Sequence, residues 1–335
     1  MRQLKYISPS SLGLWESDRE GFYLKNLADI RAPRPPQKDY MSIGSAFDAY
    51  VKADLYSACY GDGFNPAFEF DAIFCEQVEE HNRDWALEAG KYAYESYCIS
   101  GAYDDLLHAL QRSAVPPEFE FRADGSVYGV PLMGKPDCRY MTQAGVHVIL
   151  DWKVNGFCSK HGATPYKYYS MIRDGWDHTV VKPSRGYSQP HKKFVPTMYK
   201  DIAIGEHFLE ETCADWADQL SIYGWMLGEK VGGTDVVLCI DQLACKYRAD
   251  QFPLIRVAQH RCKISPTWQD SLVKRLIACW EAIQSGHIFD NLGPEENRER
   301  CALLDMQAEY QAGATSELDL WLANITNDDM KFRTR

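Results

Sequence analysis

Asp137, Asp151 and Lys153 have the side-chain types and the spacing that hydrolysis of a phosphodiester needs. That reaction requires charge on the phosphate to be neutralised, a water to be made nucleophilic and the leaving oxygen to be stabilised. A hard divalent cation held by carboxylates serves all three needs. An ammonium nearby helps to position the water and offsets charge in the transition state.

The segment Gly134-Lys135-Pro136-Asp137 leads into one expected strand, and Val148-Ile149-Leu150-Asp151-Trp152-Lys153 closes the next. Side chains alternate along a strand, so Asp151 and Lys153 share a face while Trp152 points away. Trp152 then has its backbone carbonyl to offer to a metal. Asp137 and Asp151 come near each other if the two strands are antiparallel neighbours. A bare D-x-K triplet is a weak signal, and Asp329-Met330-Lys331 is another one with no apolar strand leading into it. The competing reading of Asp151 and Lys153 is a strand end carrying two solvated charges.

The elements that must position these groups follow from periodicity and punctuation. Residues 7–29 read as a helical segment capped by Ser8 or Ser10, and the proline-rich stretch 31–36 as a connector. Helical spacing returns over 44–56, with Phe47, Tyr50, Val51 and Leu55 on overlapping faces, and over 71–112. Alternation and short apolar runs predict strands over 119–122, 127–133, 137–141 and 146–152. Residues 206–228 read as helix, 234–240 and 254–262 as strands. Residues 266–285 form a helix with Ser265 as its cap and Gly286 past its end. This order predicts an α/β protein with a central mixed sheet flanked by helices. It divides into a helical N-terminal part (1–117), a core (118–285) with a basic insertion (154–200), and an acidic extension (286–335).

The 335 residues are 45% apolar and 25% charged, as in an ordinary globular protein. No run approaches the ~18 apolar residues of a membrane span. The first residues show no basic-then-apolar leader, and a cytoplasmic location is expected. Eleven scattered cysteines with no C-x-x-C pair speak for reduced thiols and against a zinc ribbon or a close-spaced cluster. The net charge of −11 argues against nonspecific coating of nucleic acid, so any basic contact surface must be local.

Such a surface stands in the insertion. Lys160, Lys167, Arg173, Lys182, Arg185, Lys192, Lys193 and Lys200 oppose only Asp174 and Asp177, and Tyr166, Tyr168, Tyr169, Trp176, Tyr187, Phe194 and Tyr199 are interleaved. Cations track phosphates and aromatic faces stack on unpaired bases, so this stretch is a candidate nucleic-acid-binding arm. A solvated loop with tyrosines packed on the body is the alternative. Glu118 and Glu120 are further acids, for which a surface role is the first expectation, although Glu120 has the option of joining a metal site. No Gly-rich phosphate loop and no nucleophile motif points to a different chemistry.

Taken together, Pro136-Asp137 and Asp151-Trp152-Lys153 resemble the signature of the PD-(D/E)XK nucleases. Gln219-Leu220-Ser221-Ile222-Tyr223 is similar to the Q-x-x-x-Y motif of the RecB-like branch, and Gly44-Ser45-Ala46-Phe47-Asp48 resembles that branch's first motif. The opening Ile7-Ser8-Pro9-Ser10-Ser11-Leu12 looks like the start of many such nucleases, including phage-encoded ones. The resemblance spans about residues 1–285. It implies a restriction-endonuclease-like core and a Mg²⁺- or Mn²⁺-dependent exonuclease acting on single- or double-stranded DNA in phage recombination, replication or degradation. A recombination partner or a homo-oligomer is then a further expectation. Asp48, Asp137, Asp151 and the Trp152 carbonyl would hold the metal, Lys153 would orient or activate the water, and Gln219 and Tyr223 would contact phosphate or support Lys153. Two departures stand out: Asp48 replaces the branch's usual His, and the four cysteines of its iron–sulfur members are missing, so no cluster is expected. The alternative is a nuclease fold that has lost catalysis and keeps nucleic-acid or protein binding.

Overall fold

The computed structural model describes residues 1–31, 33–61, 65–158, 198–200, 208–246 and 251–313. The chain divides into two compact units. One comprises Met1–Pro35, Asp124–Gly134 and Asp270–Arg335, and the other Pro36–Ala123 and Lys135–Gln269. The described strands are β1 (Glu118–Phe119), β2 (Ala123–Val127), β3 (Val130–Gly134), β4 (Cys138–Met141), β5 (His147–Asn155), β6 (Met198–Lys200), β7 (Val236–Lys246) and β8 (Leu254–Cys262).

In the first unit, helix α1 (Pro9–Ser17) begins at a reciprocal cap. The Ser11 amide donates to Ser8 Oγ at 3.2 Å and the Ser8 amide to Ser11 Oγ at 2.8 Å. Asp18 ends this helix and caps α2 (Arg19–Phe22), which runs on as a π-helical turn over Tyr23–Leu27. The expected helix over 7–29 is therefore interrupted, because Asp18 is extended at φ −152°. The expected strand over 127–133 is a hairpin of β2 and β3. It turns at Tyr128 and Gly129, with φ of 45° and 80°, the positive pair that tight hairpins require.

The second unit carries a six-stranded mixed sheet in the order β1-β4-β5-β7-β8-β6. The β1–β4, β4–β5 and β7–β8 pairs are antiparallel, while β5–β7 and β6–β8 are parallel. A parallel pair needs a crossover, and the helix Ala214–Met226 lies in the one between β5 and β7. On the opposite face, Val148, Leu150 and Trp152 of β5 join Cys239 and Leu243 of β7 in the main core. Helices α3 (Asp39–Tyr60), α5 (Arg83–Ile99) and α6 (Ala102–Gln111) cover this face with Phe47, Val51, Leu55, Tyr97 and Leu106. Helix α4 (Phe70–Gln77) packs Ile73 and Phe74 against Ala46 and Ala49 of α3.

Two differences from the periodicity bear on the site. The helical run expected over 71–112 is three α-helices with a 3₁₀ turn over Glu80–Asn82 between the first two, and Gly101 at φ 85° supplies the break between α5 and α6. The strand expected over 119–122 stops at Phe119, because Glu120 adopts a left-handed backbone with φ 47°. Among the described residues, no helix is long and apolar enough to cross a membrane.

Candidate active site

The β4–β5 register places Cys138 opposite Leu150, which brings Asp137, one residue before β4, beside Asp151 in the middle of β5. The Trp152 amide donates to Asp137 Oδ2 at 3.0 Å. Asp151 is buried on the face of β5 covered by the Ala214–Met226 helix. Gln219 of that helix donates from Nε2 to Asp151 Oδ1 at 2.9 Å and to Tyr223 Oη at 3.0 Å, with Tyr223 one turn along. Lys153 closes an ion pair with Asp151 Oδ2. Gly224 of this helix leaves room for the segment that follows it: a Cβ there would lie 2.5 Å from Val231 Cγ2. Trp152 points the other way, its indole N–H donating to Tyr97 Oη at 3.4 Å.

Helix α3 supplies a second half. Lys52, fully buried, points its ammonium at three carboxylates: Asp48 Oδ2 at 2.6 Å, Glu120 Oε1 at 2.6 Å and Asp137 Oδ1 at 2.9 Å. Gln77, the last residue of α4, donates to Asp48 Oδ2 at 3.2 Å and Glu120 Oε1 at 3.3 Å. One oxygen each from Asp48, Glu120 and Asp137 all lie within 4.8 Å of one another, a hard-oxygen set that can hold a metal ion. The surface role expected of Glu120 is thus corrected. The Glu120 amide donates to the Asp137 carbonyl at 3.2 Å, and its left-handed backbone turns the side chain to Lys52. Glu118 does lie at the surface, facing Arg139 at 3.5 Å. Lys52 and Gln77 escaped the sequence reading; the signal for Lys52 was its place four residues after Asp48, among the apolar positions Phe47, Val51 and Leu55.

The electrostatics are those of crowded acids. Burial, with Asp137 alongside, pushes the Asp151 carboxyl up to about 7. Burial likewise raises Asp48 to about 7 against the pull of Lys52. Asp137 is buried too, yet Lys52 and Lys153 hold it below the usual carboxylate range. Both lysines stay charged, because their acidic neighbours outweigh the burial that would neutralise them. Asp48, Gln77, Asp137, Asp151, Lys153, Gln219 and Tyr223 line one polar cleft of about 280 Å³. A larger cavity of about 450 Å³ lies apart from it, between Tyr60, Pro117, Arg139 and His147. There Arg139 and His147 are paired with Glu229.

The structure therefore brings together Asp48, Asp137, Asp151, Lys153, Gln219 and Tyr223. The basic residues Lys160, Lys167, Arg173, Lys182, Arg185, Lys192 and Lys193 lie outside the described residues.

No family model matches the sequence, and no curated protein matches it. Among solved structures, the chain is similar to the crystal structure of a "Putative exonuclease" from Eubacterium rectale. The two are 12% identical over 84% of this chain and 82% of that one, with a TM-score of 0.38. A likeness of that degree carries no argument, and the functional reading rests on the side chains described above.

Proposed function

We propose that this chain is a divalent-metal-dependent nuclease of the PD-(D/E)XK type, RecB-like branch, that hydrolyses DNA from its ends. The observation that carries the reading is the convergence of Asp137, Asp151 and Lys153 with Asp48, Gln219 and Tyr223 on one cleft, from four separate parts of the chain.

Asp137, Asp151 and the Trp152 carbonyl would hold the ion, with Asp48 as the further acid of the site. An all-oxygen set suits Mg²⁺ or Mn²⁺. When bound, such an ion supplies Lewis acidity to the phosphate and lowers the pKa of water. The chain's own groups do the rest. The Trp152 amide fixes Asp137, and Gln219 fixes Asp151 by bonding one of its oxygens. Lys153 is held protonated by Asp151 and Asp137, so it serves as a donor and counter-charge to the phosphate rather than as a base. Tyr223, its hydroxyl kept protonated by burial and by Asp151, is a second donor at the cleft wall. The basic stretch after β5 would grip the strand, and phage recombination, replication or DNA breakdown would be the setting.

The test is incubation of the full chain with end-labelled single- and double-stranded DNA and RNA in Mg²⁺ or Mn²⁺. A ladder of products from one end is expected with DNA. Asp151→Asn and Lys153→Met should each lower the rate by about 10²-fold or more, the scale of losing one transition-state contact, while leaving the far-UV spectrum unchanged. Cleavage by either variant at the wild-type rate would refute the assignment. No cleavage by the wild-type chain in any metal would favour a binding module.

A further inference from the structure

We infer that Lys52 is a tethered cation that occupies the Asp48–Glu120–Asp137 triad permanently, so that the active site takes up one divalent ion and not two. This inference rests on the proposed metal-dependent reading and specifies its stoichiometry.

Three observations carry it. The first is position. The Lys52 ammonium lies 2.6, 2.6 and 2.9 Å from one oxygen of each carboxylate, the place an ion coordinated by the triad would need. The second is enclosure. Lys52 has no exposed surface, its ammonium lies 5.9 Å from the Trp152 ring centre, and Gln77 bonds the Asp48 and Glu120 oxygens that face it. Leaving would strand a buried ammonium without its acids, which is costly. The third is charge. With all four carboxyls ionised, as metal binding requires, Asp48, Glu120, Asp137 and Asp151 would carry four negative charges against the two positive ones of Lys52 and Lys153. The remainder is what one divalent ion neutralises. The backbone also serves this arrangement, since Glu120 holds a left-handed conformation that few residues other than glycine adopt readily, and its side chain ends on Lys52.

Lys52 is therefore a positioning residue. It converges three acids, one from α3, one just after β1 and one just before β4, and leaves the Asp137–Asp151 side of the cleft for the ion.

The experiment counts ions directly. Mn²⁺ binding to the full chain is followed by electron paramagnetic resonance and by titration calorimetry, with no substrate present. The wild-type chain and Lys52→Arg should bind one Mn²⁺, and Lys52→Met should bind two. Glu120→Gln, which keeps Lys52, should still bind one ion with a Kd within about twofold of wild type. If Lys52→Met fails to fold by circular dichroism, Glu120→Gln decides. A roughly tenfold weaker Kd there, the scale of disturbing a metal's surroundings, overturns the inference because it places the ion on the triad. Two ions on the wild-type chain, or one on a folded Lys52→Met, overturns it as well. No Mn²⁺ on the wild-type chain removes the metal-dependent reading itself, an outcome distinct from the others.

Discussion

Gly90→Ala tests whether the close seating of α5 on α3 holds the acid-bearing helix in place. A Cβ at Gly90 would stand 2.4 Å from Ala46 Cβ and 3.0 Å from both Ala46 C and Phe47 N. Two of those three atoms are backbone, and Ala46 has no rotamer with which to yield. Carbon atoms rest at about 3.5–4.0 Å, so the two helices must part by roughly 1 Å. Overpacking of a tight core costs typically 1–3 kcal/mol, and the absence of any side-chain escape puts this site near the upper end. Alanine is a better helix former than glycine by about 1 kcal/mol, which offsets part of the cost. The net expectation is a loss of about 2 kcal/mol. At roughly 2–4 °C per kcal/mol for a domain of this size, Tm falls by about 4–8 °C. The assay is thermal unfolding by circular dichroism, with Mn²⁺ affinity measured on the folded variant. Asp48 lies two residues from Ala46 and faces Lys52 rather than the ion, so the affinity of the folded variant should stay close to wild type while the stability falls. An unchanged or raised Tm would show that the glycine is incidental and that the contact does not hold α3.

Two other predictions follow from buried groups. Tyr97 donates to the buried Asp241 carboxylate at 2.6 Å, and Asp241 also faces Arg261 at 2.7 Å. Tyr97→Phe removes a hydrogen bond to a charge and should cost about 1.5–3 kcal/mol in urea unfolding, with Mn²⁺ stoichiometry unchanged; a loss under about 0.5 kcal/mol would contradict the reading. The second concerns pH. Asp48 and Asp151 titrate near about 7 in the folded chain against about 4 when unfolded. The folded state then binds more protons in that window, so metal-free stability should fall as pH rises from about 4 to about 7. Asp137, held low, acts the other way, and its contribution is lost as pH falls through its depressed value. Saturating Mn²⁺ should remove the loss near neutral pH, and its apparent affinity should drop roughly tenfold per pH unit below about 7 for each carboxyl that must release a proton. Thermal melts across pH with and without Mn²⁺ check both, and a metal-free Tm that climbs steadily from pH 4 to 7 would contradict them.

The half of the site built on β4 and β5 was legible because strand alternation is a strict local rule. Asp151 and Lys153 fall on one face and Trp152 on the other wherever those residues form a strand. Gln219 and Tyr223 were legible for the same reason on a helix. The half built on α3 was legible only at Asp48, through its likeness to the first motif, and not at Lys52. A lysine on a helix is ordinarily a solvated residue, and the acids that bury Lys52 lie 68 and 85 residues away. Glu120 was misjudged because its side-chain direction depends on a left-handed backbone that no residue type announces. Tyr128 hid the β2–β3 turn in the same way, although Gly129 beside it was a fair signal. The Pro266–Ser285 helix matched its punctuation at both ends, since Ser265 and Gly286 act locally.

The left-handed conformation of Glu120 also sets a direction for mutational drift. At that position the backbone favours glycine, while the surroundings of Lys52 favour a carboxylate. A change to glycine would relieve roughly 1 kcal/mol of conformational strain while leaving the ammonium one counter-charge short. Selection for folding alone would push the residue one way, and selection for the chemistry would hold it in place. On the proposed function, a descendant that had given up catalysis would be free to lose its acid here first.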